Sequence, residues 1–153
     1  MTPEERALLI KRYEDGYSVF TATLDAVPEA GMDFSPPGEW SARQIAHHVA
    51  DSELVRGWRL RQLLAQDGPV IQGFDEAQFV AKLHYYRPVD ASLALFRAAI
   101  ASNVELLTLA FPEDWARAGK HDEFGVFSLE DWLERAASHA HEHAEQLGKL
   151  SGS

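Results

Sequence analysis

No cysteine occurs anywhere in the 153 residues. That absence excludes disulfide staples, thiolate zinc sites and a cysteine nucleophile together, so any sulfur chemistry must arrive with a substrate. Basic blocks are missing as well. Lys and Arg number 14 against 24 Asp and Glu, for a formal charge of −10, and this deficit argues against binding a phosphate backbone or docking on anionic lipid. The longest apolar runs fall short of the roughly 20 residues a membrane-spanning helix needs. The first six residues carry acids where a secretory leader would be basic and then apolar. The expectation is a cytoplasmic protein without nucleic-acid or membrane partners. At 17.1 kDa the chain fits a single domain, residues 1–153, large enough to close its own core.

What is present is helical spacing. Thr2-Pro3-Glu4-Glu5 combines an N-cap, a proline at the first helical position and a Glu that closes a capping box. Leu9, Tyr13, Tyr17, Phe20 and Leu24 then recur at steps of three and four, which predicts a first helix ending near Val27-Pro28. Pro28, Gly31, Pro36, Pro37 and Gly38 make the following stretch a loop. Ser41 and Gln44 repeat the capping box, and Ile45, Val49, Val55 and Trp58 carry a second helix over about 42–66, stopped by Asp67-Gly68-Pro69. Between 70 and 88 the pattern weakens to a short helical turn at 75–79 and extended chain before Pro88. Asp90 is placed to cap a third helix that runs to Phe111-Pro112. Residues 112–127 read as an ordered loop, and Ser128 caps a last helix that Gly148 ends. Four apolar stripes with no strand alternation predict an all-α fold, an antiparallel four-helix bundle with long inter-helix loops.

The chemistry-bearing residues are histidines. His139 and His143 are four apart, so a helix stacks their rings on one face; the spacing permits a shared ion and does not by itself require one. His48 sits on the second helix near Ile45 and Val55, on a face expected to turn inward, where a lone imidazole would be costly. Taken together the three predict one site. His47 points about 100° away from His48 on the helix wheel, and His141 away from its two neighbours, so both are expected at the surface. Asp51, one turn after His48, could complete the coordination or accept the second N–H of the His48 ring, and the latter is the better fit. Gln146, one turn beyond His143, is a candidate second partner of that kind. Glu53, Glu142 and Glu145 read as solvated charges or structural partners, His121 as an exposed loop residue and His84 as packing. Trp58, Arg59 and Tyr86 could line a pocket or simply complete core and surface.

Trp40-Ser41-x-x-Gln44-Ile45-x-x-His48-x-x-Asp51-x-Glu53, followed by His139-x-x-x-His143-x-x-Gln146-Leu147, resembles the DinB/YfiT-like family along the whole chain. Gln44 stands where an acid often precedes the isoleucine. The resemblance implies a four-helix bundle, often dimeric and stress-associated, whose three motif histidines bind a divalent metal such as zinc or nickel. Here those positions are His48, His139 and His143. It also implies kinship with bacillithiol-using thiol transferases and with mycothiol-dependent maleylpyruvate isomerases, whose added C-terminal domain this chain is too short to contain.

Three nitrogen donors without thiolate leave a coordination position open. The expected activity is metal-dependent S-transfer, in which a small-molecule thiol loses its proton to the cation's influence and attacks a small electrophile. Hydrolysis by metal-activated water, with Asp51 or His121 moving protons, is the alternative enzyme reading. The alternative of another kind is a non-catalytic bundle in which metal only stiffens the core.

Overall fold

The computed structural model describes residues 1–151. Its helices are α1 (Pro3–Leu24), α2 (Ala42–Ala65), the short α3 (Glu76–Lys82), α4 (Asp90–Leu109) and α5 (Leu129–Ser151). The capping signals act as their chemistry demands. Thr2 N–H donates to Glu5 Oε2 at 2.7 Å while Glu5 N–H donates to Thr2 Oγ1. Ser41 and Gln44 exchange the same pair of bonds, and Ser128 does so with Asp131. Asp90 differs from expectation: Val89 occupies the cap position without a side-chain bond. Asp90 is instead the first helical residue, where its negative charge meets the positive end of the helix.

Around the bundle the order is α1, α5, α2, α4, with α1 and α2 on one diagonal and α4 and α5 on the other. Directions follow from which residues meet. Tyr13 faces Asn103 and Phe20 faces Phe96, so α1 and α4 oppose each other. His48 meets His143 while the Arg56 carbonyl accepts from Trp132, so α2 and α5 oppose each other too. The pairs α1/α5 and α2/α4 run parallel: Arg6 reaches Glu130 and the Arg12 carbonyl reaches His141, just as His47 meets Ser92 and Arg61 meets Asn103. A parallel neighbour requires chain that returns the length of the bundle, and residues 66–89 with α3 supply it between α2 and α4.

The core is aromatic at its centre. Tyr13 meets Trp132 edge-on at 5.5 Å and Phe20 meets Phe96 at 5.8 Å, an arrangement aromatic quadrupoles favour. Gly16 lets α1 and α5 approach closely, since a Cβ there would stand 3.0 Å from the Ala140 Cβ. By length and composition α4 is apolar enough to cross a membrane, more than the apolar runs suggested. In the bundle its Phe96, Ile100 and Leu107 are buried against its neighbours.

A small sheet lies where the sequence reads as loop. β1 (Val70–Ile71) pairs in parallel with β2 (Ala118–His121), which forms a hairpin with β3 (Gly125–Ser128). Strands of two to four residues are too short to show alternation. Gly125, at φ +74°, takes the left-handed conformation that closes the hairpin. The sheet covers the bundle beside the start of α5, and Phe127 and Ile71 enter the core.

Candidate metal centre

α2 and α5 bring His48, His139 and His143 together. One ring nitrogen from each lies within 4.8 Å of the other two, and the ring centroids are 4.5 to 5.3 Å apart. His139 Nε2 and His143 Nε2 approach to 3.2 Å, close to the edge of about 3.3 Å that two nitrogens span on a tetrahedral zinc ion with bonds of about 2.0–2.1 Å. The donor set fits a borderline divalent cation held by neutral imidazoles.

Neighbouring groups orient the rings. Gln146 Oε1 accepts from His143 Nδ1 at 2.8 Å, which leaves the Nε2 lone pair free toward the other histidines. Arg56 Nη1 donates to His139 Nδ1 at 2.9 Å, so the neutral His139 ring carries its proton on Nε2 and shares it with His143. For Nε2 to hold a cation as a neutral imidazole, that proton would have to move to Nδ1 and the Arg56 bond would have to give way. Ser52 Oγ lies 3.4 Å from His48 Nε2, and Trp40 covers the His48 ring at a centroid distance of 4.7 Å.

Burial keeps all three rings uncharged. It holds His48 down to about 3, helped by the repulsion a second charge would meet at His143 and by the Arg56 guanidinium. It also holds His139 well below its ordinary value, with Arg56, His143 and His48 adding to the effect. His143 is lowered by burial too, and its bond to Gln146 opposes the shift. Neutral imidazole is the form that metal ligation needs.

Beside the histidines opens a cleft of about 480 Å³, lined among others by Ser52, Arg56, Arg59, Phe74, Trp132 and His139. Below it, α2 carries a buried polar cluster. Tyr13 Oη donates to Glu53, and Asn103 Nδ2 donates to both Tyr13 Oη and Glu53 Oε1, at 2.9 and 3.1 Å. Burial raises the Glu53 carboxyl, against the opposing pull of Arg56 and of these bonds. Glu53 is thus a structural partner, while Glu142 and Glu145 are exposed.

Several expected placements change. Asp51 does not reach His48; its Oδ2 accepts the Tyr85 hydroxyl at 2.6 Å, pinning the return segment to α2. His47 is not at the surface but 0 % exposed, with Nδ1 beside Ser92 Oγ and Nε2 on the Arg87 carbonyl. The reason is that α2 is covered on two faces, by α5 and by α4 with its preceding loop, so a 100° turn does not reach water. His141 is half-buried and bonded to the Arg12 carbonyl. His121, expected exposed, is 1 % exposed and stacks on Phe124 at 4.4 Å. His84 is exposed with φ +54° and bonds the Tyr86 hydroxyl. Trp58 is exposed, and Arg59 borders the cleft. Arg56 went unread: it follows His48 by eight residues, two helical turns along the same face, and that spacing was the available signal.

The family model of the DinB superfamily matches residues 12–147. This chain belongs to that superfamily. Among curated relatives, a protein of Oceanobacillus iheyensis provisionally named a metal-dependent hydrolase is 32 % identical over 113 residues, 74 % of this chain and 66 % of that one. A similarly named protein of Halalkalibacterium halodurans is 25 % identical over 108 residues, covering 71 % of this chain and 63 % of its own length. The match therefore spans slightly less than two thirds of these relatives. Among solved structures, YfiT from Bacillus subtilis, a four-helix bundle of unusual topology, superposes with a TM-score of 0.93 at 22 % identity, over 99 % of this DinB chain and 89 % of its own. The four-helix bundle protein TT2238 superposes with a TM-score of 0.67 at 25 % identity, over 94 % and 98 % of the two chains. The four-helix-bundle class is common to all three.

Proposed function

We propose that this DinB protein is a metal-dependent enzyme in which His48, His139 and His143 hold one divalent cation, zinc or nickel, and that it transfers a low-molecular-weight thiol of the bacillithiol type onto a small electrophile. The observation that carries the reading is the convergence of three neutral ring nitrogens within 4.8 Å at the wall of a cleft that admits a small molecule. Three nitrogen donors leave a position open toward that cleft. A cation held there favours the deprotonated form of a thiol and so makes a nucleophile available at neutral pH.

The chain's own residues do the rest. Gln146 fixes His143 with its Nε2 lone pair inward. Trp40 shields His48 from water, which strengthens every polar interaction beneath it. With no cysteine in the chain, the attacking sulfur belongs to a co-substrate: a carbon–sulfur bond forms, the electrophile's leaving group departs, and the thiol proton passes to solvent.

Hydrolysis is the second reading, favoured by the provisional names of the relatives and by Glu76. That carboxyl borders the cleft, within reach of protons exchanged by a bound molecule. Untagged protein, with His48→Ala, His139→Ala and His143→Ala variants, tests both. One equivalent of metal is expected in the wild type and little in the variants. Chelator-sensitive conjugation of a thiol to monobromobimane supports transfer, and chelator-sensitive cleavage of p-nitrophenyl acetate supports hydrolysis. Full metal loading with neither turnover refutes the enzyme and leaves the metal as a stiffener of the core.

A further inference from the structure

The cleft beside the histidines has an uneven charge plan. Arg56 and Arg59 are half-buried in its lining, whereas the glutamates that border it, Glu76, Glu123, Glu134 and Glu142, are exposed. Asp131 is committed to Ser128. Three arginines elsewhere pair with carboxylates, Arg6 with Glu130, Arg43 with Asp33 and Arg117 with Asp67, while Arg61 is held by Gly57, Asn103 and Ser102. Among the described residues neither Arg56 nor Arg59 has one within ion-pair distance, although carboxylates line the same cleft. The glutamates stand at the exposed rim, where solvent screens their interactions.

Arg59 is the less satisfied of the two. Its Nη2 donates to the Gln72 carbonyl at 2.6 Å and its guanidinium lies 5.9 Å from the Phe74 ring, but Nε is buried without a hydrogen-bond partner. Arg56 has given Nη1 to His139. Burial works against the charge of both side chains. A guanidinium held at the wall of a cleft by a carbonyl and an aromatic ring, with no carboxylate at ion-pair distance, can turn the rest of its N–H fork to a group that is not part of the chain. The buried Nε2 of His121 is likewise unpartnered, beneath Phe124 and Phe127, two rings that border the cleft.

We infer that the substrate or thiol co-substrate enters this cleft through an oxyanion group, a carboxylate or a phosphate, received by Arg59 with Arg56 beside it. Arg59 and His139 line the same cleft, so a molecule anchored at the first can extend to the second. The assignment rests on the reading that the cleft serves the histidine site, and it narrows the substrate class to anionic small molecules.

Isothermal titration of the full chain, as purified with its metal, against succinate and separately against inorganic phosphate at low ionic strength is the test. Wild type is expected to bind at least one anion saturably; a response to succinate alone identifies a carboxylate, and to phosphate alone a phosphoryl group. Loss of a charged hydrogen bond is worth about tenfold or more, so Arg59→Ala should weaken binding by at least that factor. Arg59→Lys, which keeps the charge but loses the fork, should weaken it several-fold and decides the matter if Arg59→Ala does not fold. Arg97→Ala, over Tyr17 and outside the cleft, should bind as wild type does. No saturable binding by wild type at millimolar anion, or equal binding by wild type and both Arg59 variants, overturns the inference. Metal content measured on the same samples separates the two readings: metal-loaded wild type that ignores both anions removes this inference alone, and wild type without metal removes the metal-enzyme reading instead.

Discussion

The contact between Gly16 and Ala140 sets how closely α1 supports the histidine helix, and its tolerance can be calculated before it is measured. A Cβ on residue 16 would stand 3.0 Å from the Ala140 Cβ, inside the 3.5–4.0 Å or so at which carbon atoms attract. Gly16→Ala gains about 1 kcal/mol of helix propensity, but forcing a methyl into a filled interface costs about 1–3 kcal/mol; the sum is a loss of about 1 kcal/mol. Ala140→Gly forfeits about 1 kcal/mol of propensity and about 0.8 kcal/mol for one buried carbon, a loss of about 2 kcal/mol. The double variant moves one methyl across the same gap and exchanges the propensities, so it should lie within about 1 kcal/mol of wild type. Two single losses totalling about 3 kcal/mol thus become a coupling of about 2–3 kcal/mol, within the range contacting residues display. Urea unfolding of the four proteins at equal slope reads the cycle, and each kcal/mol should appear as about 2–4 °C in Tm. If Gly16→Ala is stabilised by the full propensity gain and the single effects add, the interface has slack and the reasoning is wrong.

Acid should weaken the bundle through its buried histidines. His48 is held to about 3 against an ordinary 6.5, so the unfolded chain binds its proton first; stability is complete above about 6.5 and is lost as pH falls toward 3. His48→Gln should flatten that slope in melting curves taken from pH 7 to pH 4, and an unchanged slope would reject the assignment. Gly119→Ala should unravel the small sheet, because its Cβ would stand 2.5 Å from the Pro69 carbonyl oxygen; amide exchange at Lys120 and Asp122, whose N–H groups bond the Pro69 and Ile71 carbonyls, should then accelerate markedly. Ser128→Ala removes the cap of α5 and should cost about 1 kcal/mol, seen as a lower urea midpoint, whereas Asp90→Ala, at a position that makes no cap bond, should cost less.

Legibility in the sequence followed the length of the signal. The four long helices, three of their caps and the inward turn of His48, His139 and His143 all rest on patterns repeated over several turns, which local propensity alone suffices to specify. Gln146 beside His143 was readable for the same reason, because both lie on one helix one turn apart. Asp51 misled because its spacing from His48 places it near the ring without saying what else competes for it, and Tyr85 arrives from a distant segment to take the carboxylate. His47 misled because a helix wheel knows one helix only, and α2 has two covered faces. Arg59 could be named only as one of three side chains able to line a pocket, and the cleft itself was not readable: it exists only once α3, the hairpin and α5 meet around α2.

The cyclic order of the helices has a consequence for how the molecule matures. Because α5 packs between α1 and α2, His139 and His143 meet His48 only once the last helix has docked. A partly synthesised or clipped molecule lacking residues 129–151 would retain His48 and nothing to share a cation with. Under the proposed reading, ion capture would then discriminate finished molecules from unfinished ones, and the loaded fraction would double as a gauge of how many copies have completed folding.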